Sequence, residues 1–181
     1  MIEVTVSRLG LDSSTNSYVV VLQERDGTRL LPIWIGQPEA ESIVMHMHNV
    51  KRARPLTHDL VRSLIVGMGA QLRRVQITRV EKSTYYAELH VQRDGEIVQI
   101  DARPSDSIAV ALRLSAPIFA AESLLVDPGE DTDEGDVTGS TDEPDLGLPD
   151  AAARDDAELS AEQLKAYLEN LRPEDFGKFN P

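Results

Sequence analysis

The chain has no cysteine, which excludes a disulfide framework, a thiolate nucleophile and any Cys-ligated zinc or iron–sulfur centre. Aromatic residues are only 4% of the 181, so platforms for stacking bases are few beyond Trp34, Tyr85 and Tyr86. No apolar run approaches the eighteen or so residues of a membrane helix: the greasiest stretch, Ile108 to Ala121, is broken by Arg113, Ser115 and Pro117. No P-loop, RRM, KH or helix-turn-helix pattern is present. The opening residues Met1 to Val6 alternate like a strand and carry Glu3 where a secretory signal needs a basic start. A soluble, cytoplasmic protein without membrane association is the expectation.

Present in quantity is negative charge, unevenly spread. The formal net charge is −13, yet residues 1–126 hold fourteen basic and fourteen acidic side chains, against four and seventeen in residues 127–181. The low isoelectric point therefore does not argue against nucleic-acid binding by the N-terminal part, since association follows local potential. Residues 127–159 carry thirteen acids against the single base Arg154, with no apolar periodicity to offset the entropy of ordering. They read as a disordered acidic linker that could compete with nucleic acid for basic residues of the domain. Ser160-Ala161-Glu162-Gln163 then forms a capping box, followed by Leu164, Tyr167, Leu168 and Leu171 on one helical stripe and Pro173 as a stop. Three regions result: a domain over 1–126, the linker over 127–159, and a short amphipathic helix and tail over 160–181.

Within the domain, Ile2, Val4 and Val6 alternate as a half-buried strand, and Val19 to Leu22 is a continuous run suited to a strand covered on both faces. Arg25-Asp26-Gly27-Thr28 turns the chain into a third strand, Arg29 to Ile35. A helix after Gly36 places Ala40, Ile43, Val44 and Met47 on one face. A second, from Thr57, turns Leu60, Val61, Leu64, Ile65 and Met68 inward. Strands follow at about 71–81, 84–93 and 96–102, with Asp94-Gly95 as a hairpin turn, and a largely apolar helix runs from Ser105 to Leu114. Strands grouped around helices without βαβ alternation define an α+β fold, a single compact domain with about three helices.

Two segments repeat a pattern. Arg54-Pro55-Leu56-Thr57-His58-Asp59 and Arg103-Pro104-Ser105-Asp106 each set Arg-Pro before a hydroxyl residue, an aspartate in or near the first turn, and an apolar helix. Such residues are helix caps in most proteins, with Thr57 and Ser105 as the expected capping side chains. They also suit phosphate, because free N–H groups and a guanidinium fork both match its oxygens. His58 is a candidate acid or base between potential charge partners. His90, on the polar side of a strand with Tyr86 and Glu88, reads as solvated, and His46 and His48 are too far apart around a helix to share one ion. If the two segments meet, Asp59, Asp101 and Asp106, with Glu39 on the first helix, would supply carboxylates to activate water or hold Mg²⁺, a candidate cofactor. Arg54 and Arg103 would stabilise developing charge on a phosphodiester. Lys51 and Arg52 extend the basic stretch, which is otherwise a solvated loop.

These residues also carry a resemblance. Leu31-Pro32-Ile33-Trp34-Ile35-Gly36 with Glu39-Ala40, then Arg54-Pro55-x-Thr57-His58-Asp59-Leu60, Tyr85-Tyr86-Ala87-x-Leu89, Asp101-x-Arg103-Pro104-Ser105-Asp106-x-Ile108-Ala109 and Pro117-Ile118-Phe119 resemble successive motifs of the bifunctional nuclease domain family. The segment Leu168-x-Asn170-Leu171-x-Pro173-Glu174-Asp175-Phe176-Gly177 is similar to one that follows the domain in bacterial members. Ser107 departs from the pattern, where alanine is more usual. The resemblance implies a compact α+β domain that self-associates, as a dimer or higher homo-oligomer, and cleaves both DNA and RNA with low sequence specificity. His58, Asp59, Asp101 and Asp106 are its catalytic candidates, Arg54, Arg103, Lys51 and Arg52 its phosphate contacts, and Asp59, Asp101, Asp106 and Glu39 its metal candidates. The alternative is a non-enzymatic regulatory or binding module that recruits a partner through its C-terminal helix.

Overall fold

The computed structural model describes residues 1–12, 17–50 and 52–128. The acidic linker beyond Pro128 and the helix expected from Ser160 lie outside the described residues, as does Lys51. The elements in chain order are β1 (Ile2–Asp12), β2 (Ser17–Glu24), β3 (Leu30–Ile35), α1 (Gln37–Met47), α2 (Thr57–Gly67), β4 (Gln71–Glu81), β5 (Thr84–Arg93), β6 (Glu96–Ala102), α3 (Pro104–Leu114) and β7 (Ile118–Ala120). The fold is α+β, as the grouping of strands around helices predicts.

All seven strands join one sheet in the order β3-β2-β1-β7-β4-β5-β6. Every pairing is antiparallel except that of β7 with β4. Two local meanders, β1–β3 and β4–β6, are thus joined by three residues that carry too little pattern to be predicted as a strand. Alternation alone would turn Arg8 into the core after Ile2, Val4 and Val6. A bulge between Val6 and Arg8 absorbs one residue instead, so that Leu9 comes opposite Val20 as Val6 comes opposite Leu22. A bulge between Leu72 and Arg74 likewise lets Leu72 face inward with Val75 and Ile77 despite their uneven spacing.

Helix α3 is the centre of the domain. It packs on α1, α2, β4 and β5, and Ile108, Ala109, Val110 and Ala111 are all buried, which explains its apolar circumference. Pro104 opens it, where a missing N–H costs nothing. Ser115, in the left-handed region at φ 51°, ends it.

Four details differ from the sequence reading. Leu60 and Leu64 of α2 and Met68 just beyond it are about half exposed, while His58 and Ile65 are buried and Val61 packs against the core. The helix is rotated so that the row 58, 61, 65 faces inward, because its polar first turn is bonded to α1 and α3. In α1 the buried set is Ala40, Ser42, Ile43 and Met45, with Met47 turned outward. Thr57 and Ser105 do not cap: the N-caps are Leu56 and Arg103, which places the hydroxyls inside the first turn. His90 is buried rather than solvated, since β5 is an interior strand that sets it between Arg74 of β4 and Gln99 of β6.

Candidate active site

The beginnings of α2 and α3 meet. His58, in the first turn of α2, stands with Nε2 3.0 Å from Oδ1 of Asp106 in the first turn of α3. Helix α1 completes the junction from below, with Ser42 Oγ 2.8 Å from His58 Nδ1. Above, Arg103 donates from Nε to Asp106 Oδ2 at 2.8 Å, and from Nη2 to Asp106 Oδ1 at 3.2 Å and Glu39 Oε1 at 2.6 Å. A chain of polar groups therefore runs Ser42, His58, Asp106, Arg103, Glu39 through all three helices.

Ser, His and Asp in hydrogen-bond contact are the parts of a hydrolytic triad, but exposure runs the wrong way for one. The nucleophile of such a triad must meet substrate. Here Ser42 is 4% exposed, whereas the side chains of Asp106 and Arg103 are 33% and 67% exposed. The face offered to a ligand is the carboxylate and guanidinium end. Partial burial works against the charge on Asp106, yet the hydrogen bonds from Arg103 and His58 overcome it and hold the carboxyl below its ordinary value. It is an ionised acceptor at neutral pH.

Asp59 has a different setting. Its Oδ2 accepts the Leu56 N–H at 2.9 Å, the reach-back half of a capping box, and its Oδ1 accepts Arg113 Nε at 2.6 Å. Arg113 also donates to the carbonyls of Ser42 and Ala109 at 3.2 and 3.0 Å, so one buried guanidinium ties α1, α2 and α3 together. Burial opposes ionisation of Asp59 as well, and the bonds from Arg113 and Leu56 outweigh it.

Of the remaining sequence candidates, Glu39 is in the junction. Arg52 and Arg54 lie exposed in the connection between α1 and α2, with no hydrogen bond to the junction among the described residues. Asp101 lies exposed on β6 opposite Glu88, contributes to the field that favours the charge on Arg79, and makes no hydrogen bond to the junction among the described residues. Sequence reasoning missed Ser42 and Arg113. Both left a signal: Ser42 follows Glu39 by three residues on α1, and Arg113 follows Asp106 by seven on an otherwise apolar helix, each spacing that of a shared face.

Among the described residues no three His, Asp or Glu side chains are grouped to hold a metal ion. Glu39 and Asp106 each engage Arg103, which occupies the space between them, so the junction as it stands does not fit Mg²⁺.

The bifunctional nuclease domain family matches residues 20–133, which include every element of the junction. The chain belongs to this family. It is 38% identical over 175 residues to an uncharacterized protein of Mycobacterium tuberculosis, covering 96% of this chain and 97% of that one. It is 34% identical over 114 residues to bifunctional nuclease 2 of Arabidopsis thaliana, and 31% identical over 125 residues to bifunctional nuclease 1 of japonica rice. Those two matches cover 61% and 67% of this chain but only 35% and 38% of the plant proteins. Among the described residues no helix is long and apolar enough to cross a membrane.

Proposed function

We propose that the domain hydrolyses phosphodiester bonds of RNA and DNA with low sequence specificity, at the junction of α1, α2 and α3. The observation that carries this reading is the convergence of Arg103, Asp106 and His58 from two separate helix beginnings, in a family named for nuclease activity. Arg103 is the phosphate contact. Its Nη1 makes no hydrogen bond among the described residues, and the guanidinium is largely open to solvent, free to donate to a non-bridging oxygen as negative charge builds in the transition state. Asp106 orients the attacking water as a hydrogen-bond acceptor. The water oxygen bonds to phosphorus, the bond to the leaving oxygen breaks, and the water proton leaves through the carboxylate while the leaving oxygen is protonated from solvent. Asp59 and Arg113 hold the three helices in register.

The test is turnover of single-stranded RNA and DNA by wild type, Arg103→Ala, Asp106→Asn and Asp59→Asn, each with Mg²⁺ and with chelator. Loss of about 10²-fold or more in the first two variants is expected. Cleavage equal in all four proteins means a contaminating nuclease and ends the reading. The same proposal takes the protein to be cytoplasmic and self-associating, the latter supported by exposed Ile97, Val98 and Ile100 on the edge strand β6. Sedimentation of the purified chain at its monomer mass would refute self-association.

A further inference from the structure

We infer that Ser42 and Asp106 together hold His58 as the neutral tautomer protonated on Nε2, making the imidazole a donor that positions Asp106 rather than a base that takes a proton from water. The two contacts of the ring decide this together. Its Nδ1 is 2.8 Å from the Ser42 hydroxyl and its Nε2 is 3.0 Å from a carboxylate oxygen, in a residue that is itself buried.

Three protonation patterns are possible, and only one pairs every group. With the proton on Nε2, the imidazole donates to Asp106 and Nδ1 receives the Ser42 O–H. With the proton on Nδ1, the Nε2 lone pair faces an ionised carboxylate oxygen, and the Ser42 proton has no acceptor. With both nitrogens protonated, Asp106 is served, but the Ser42 oxygen accepts from Nδ1 and its own proton again has nowhere to go. Ser42 has no other side-chain hydrogen bond among the described residues, and it is buried, so an unmet hydroxyl there carries a desolvation cost.

The consequence for Asp106 is atomic. Oδ1 accepts from both His58 and Arg103, whereas among the described residues Oδ2 accepts only from Arg103 Nε. A carboxylate oxygen accommodates about two donors, so Oδ2 is the atom with acceptor capacity to spare and the one that addresses water. His58, with both ring nitrogens engaged, is a positioning residue. This last assignment rests on the nuclease reading, whereas the tautomer does not.

The experiment is a long-range proton–nitrogen correlation spectrum of the imidazoles in the ¹⁵N-labelled full chain at about pH 8, where a free imidazole is neutral. His58→Gln identifies the His58 signals by their loss. The inference expects Nδ1 in the unprotonated range and Nε2 in the protonated range. The reverse pattern, or two protonated nitrogens, overturns it. Ser42→Ala is expected to shift the Nδ1 resonance, which loses its hydroxyl donor, while Nε2 stays protonated against Asp106, and Ser42→Thr, which keeps the hydroxyl, is expected to restore it, with the other three histidines unchanged as the check on folding. Ser42→Ala with an unaltered Nδ1 resonance also overturns the inference, and if that variant does not fold, the wild-type spectrum still decides. Turnover is measured on the same samples. The expected tautomer without turnover removes the nuclease reading and leaves the tautomer standing, while turnover with the other tautomer does the opposite.

Discussion

The two Arg-Pro segments look alike in sequence and serve opposite ends of one junction. Each supplies an aspartate at the third position of its helix, Asp59 in α2 and Asp106 in α3. In α3 the arginine is itself the N-cap, three residues before the aspartate, and its guanidinium folds back onto that carboxylate. In α2 the inserted Leu56 takes the cap position, pushes Arg54 two residues further out, and leaves Asp59 to cap Leu56 and receive Arg113 from the far end of α3. Two added residues thus turn a ligand-facing Arg–Asp pair into an internal fastening, and the difference lies in cap register rather than composition.

The comparison breaks most visibly in turnover. Arg103→Ala is expected to lower cleavage about 10²-fold, equivalent to about 2.7 kcal/mol of transition-state stabilisation, while Arg54→Ala stays within about tenfold of wild type. Equal losses in steady-state assays of the two variants would erase the distinction. Stability should reverse the ranking. Asp59→Ala strands a buried Arg113, and we expect a loss of about 2 kcal/mol in urea unfolding, less than the roughly 3–5 of a fully enclosed pair because the Asp59 side chain is 40% exposed. Asp106→Ala is expected to cost less.

Acid sharpens the same contrast. Asp59 and Asp106 both lie below the ordinary carboxylate value in the folded state, so their contribution is complete above the unfolded pKa and is lost as pH falls through the folded one. The stability gap between wild type and Asp59→Asn should therefore persist at pH 6 and narrow at about pH 3. A gap that widens on acidification would contradict the assignment. The smallest effect is expected on the outer side of α2, where Leu64→Gln should change stability by no more than about 0.5 kcal/mol, since that helix is fastened by its first turn and Ile65 rather than by its whole apolar stripe.

Most strands were legible because turn residues and β-branched runs mark them locally, as at Asp94-Gly95 between β5 and β6. What alternation could not reveal was where a bulge resets it, as at Ser7, or that three residues after α3 pair with strands far apart in sequence. The junction was half legible for the same reason. His58, Asp106, Arg103 and Glu39 announce themselves by charge at helix starts, whereas Ser42 looks like any helix serine until a second helix lays a ring nitrogen against it. The rotation of α2 was hidden because apolar residues occupy two of its sides, and only contacts from other elements choose between them.

Strand β7 sets a timetable for the nascent chain. Everything that forms the two meanders and the first turns of all three helices has left the ribosome before Ile118 to Ala120 emerge, yet these three residues alone bridge β1 to β4. Until then the newborn molecule exposes two raw sheet margins that can pair only with each other or with a neighbour. Closure of the sheet therefore waits for the final strand of the domain to be synthesised.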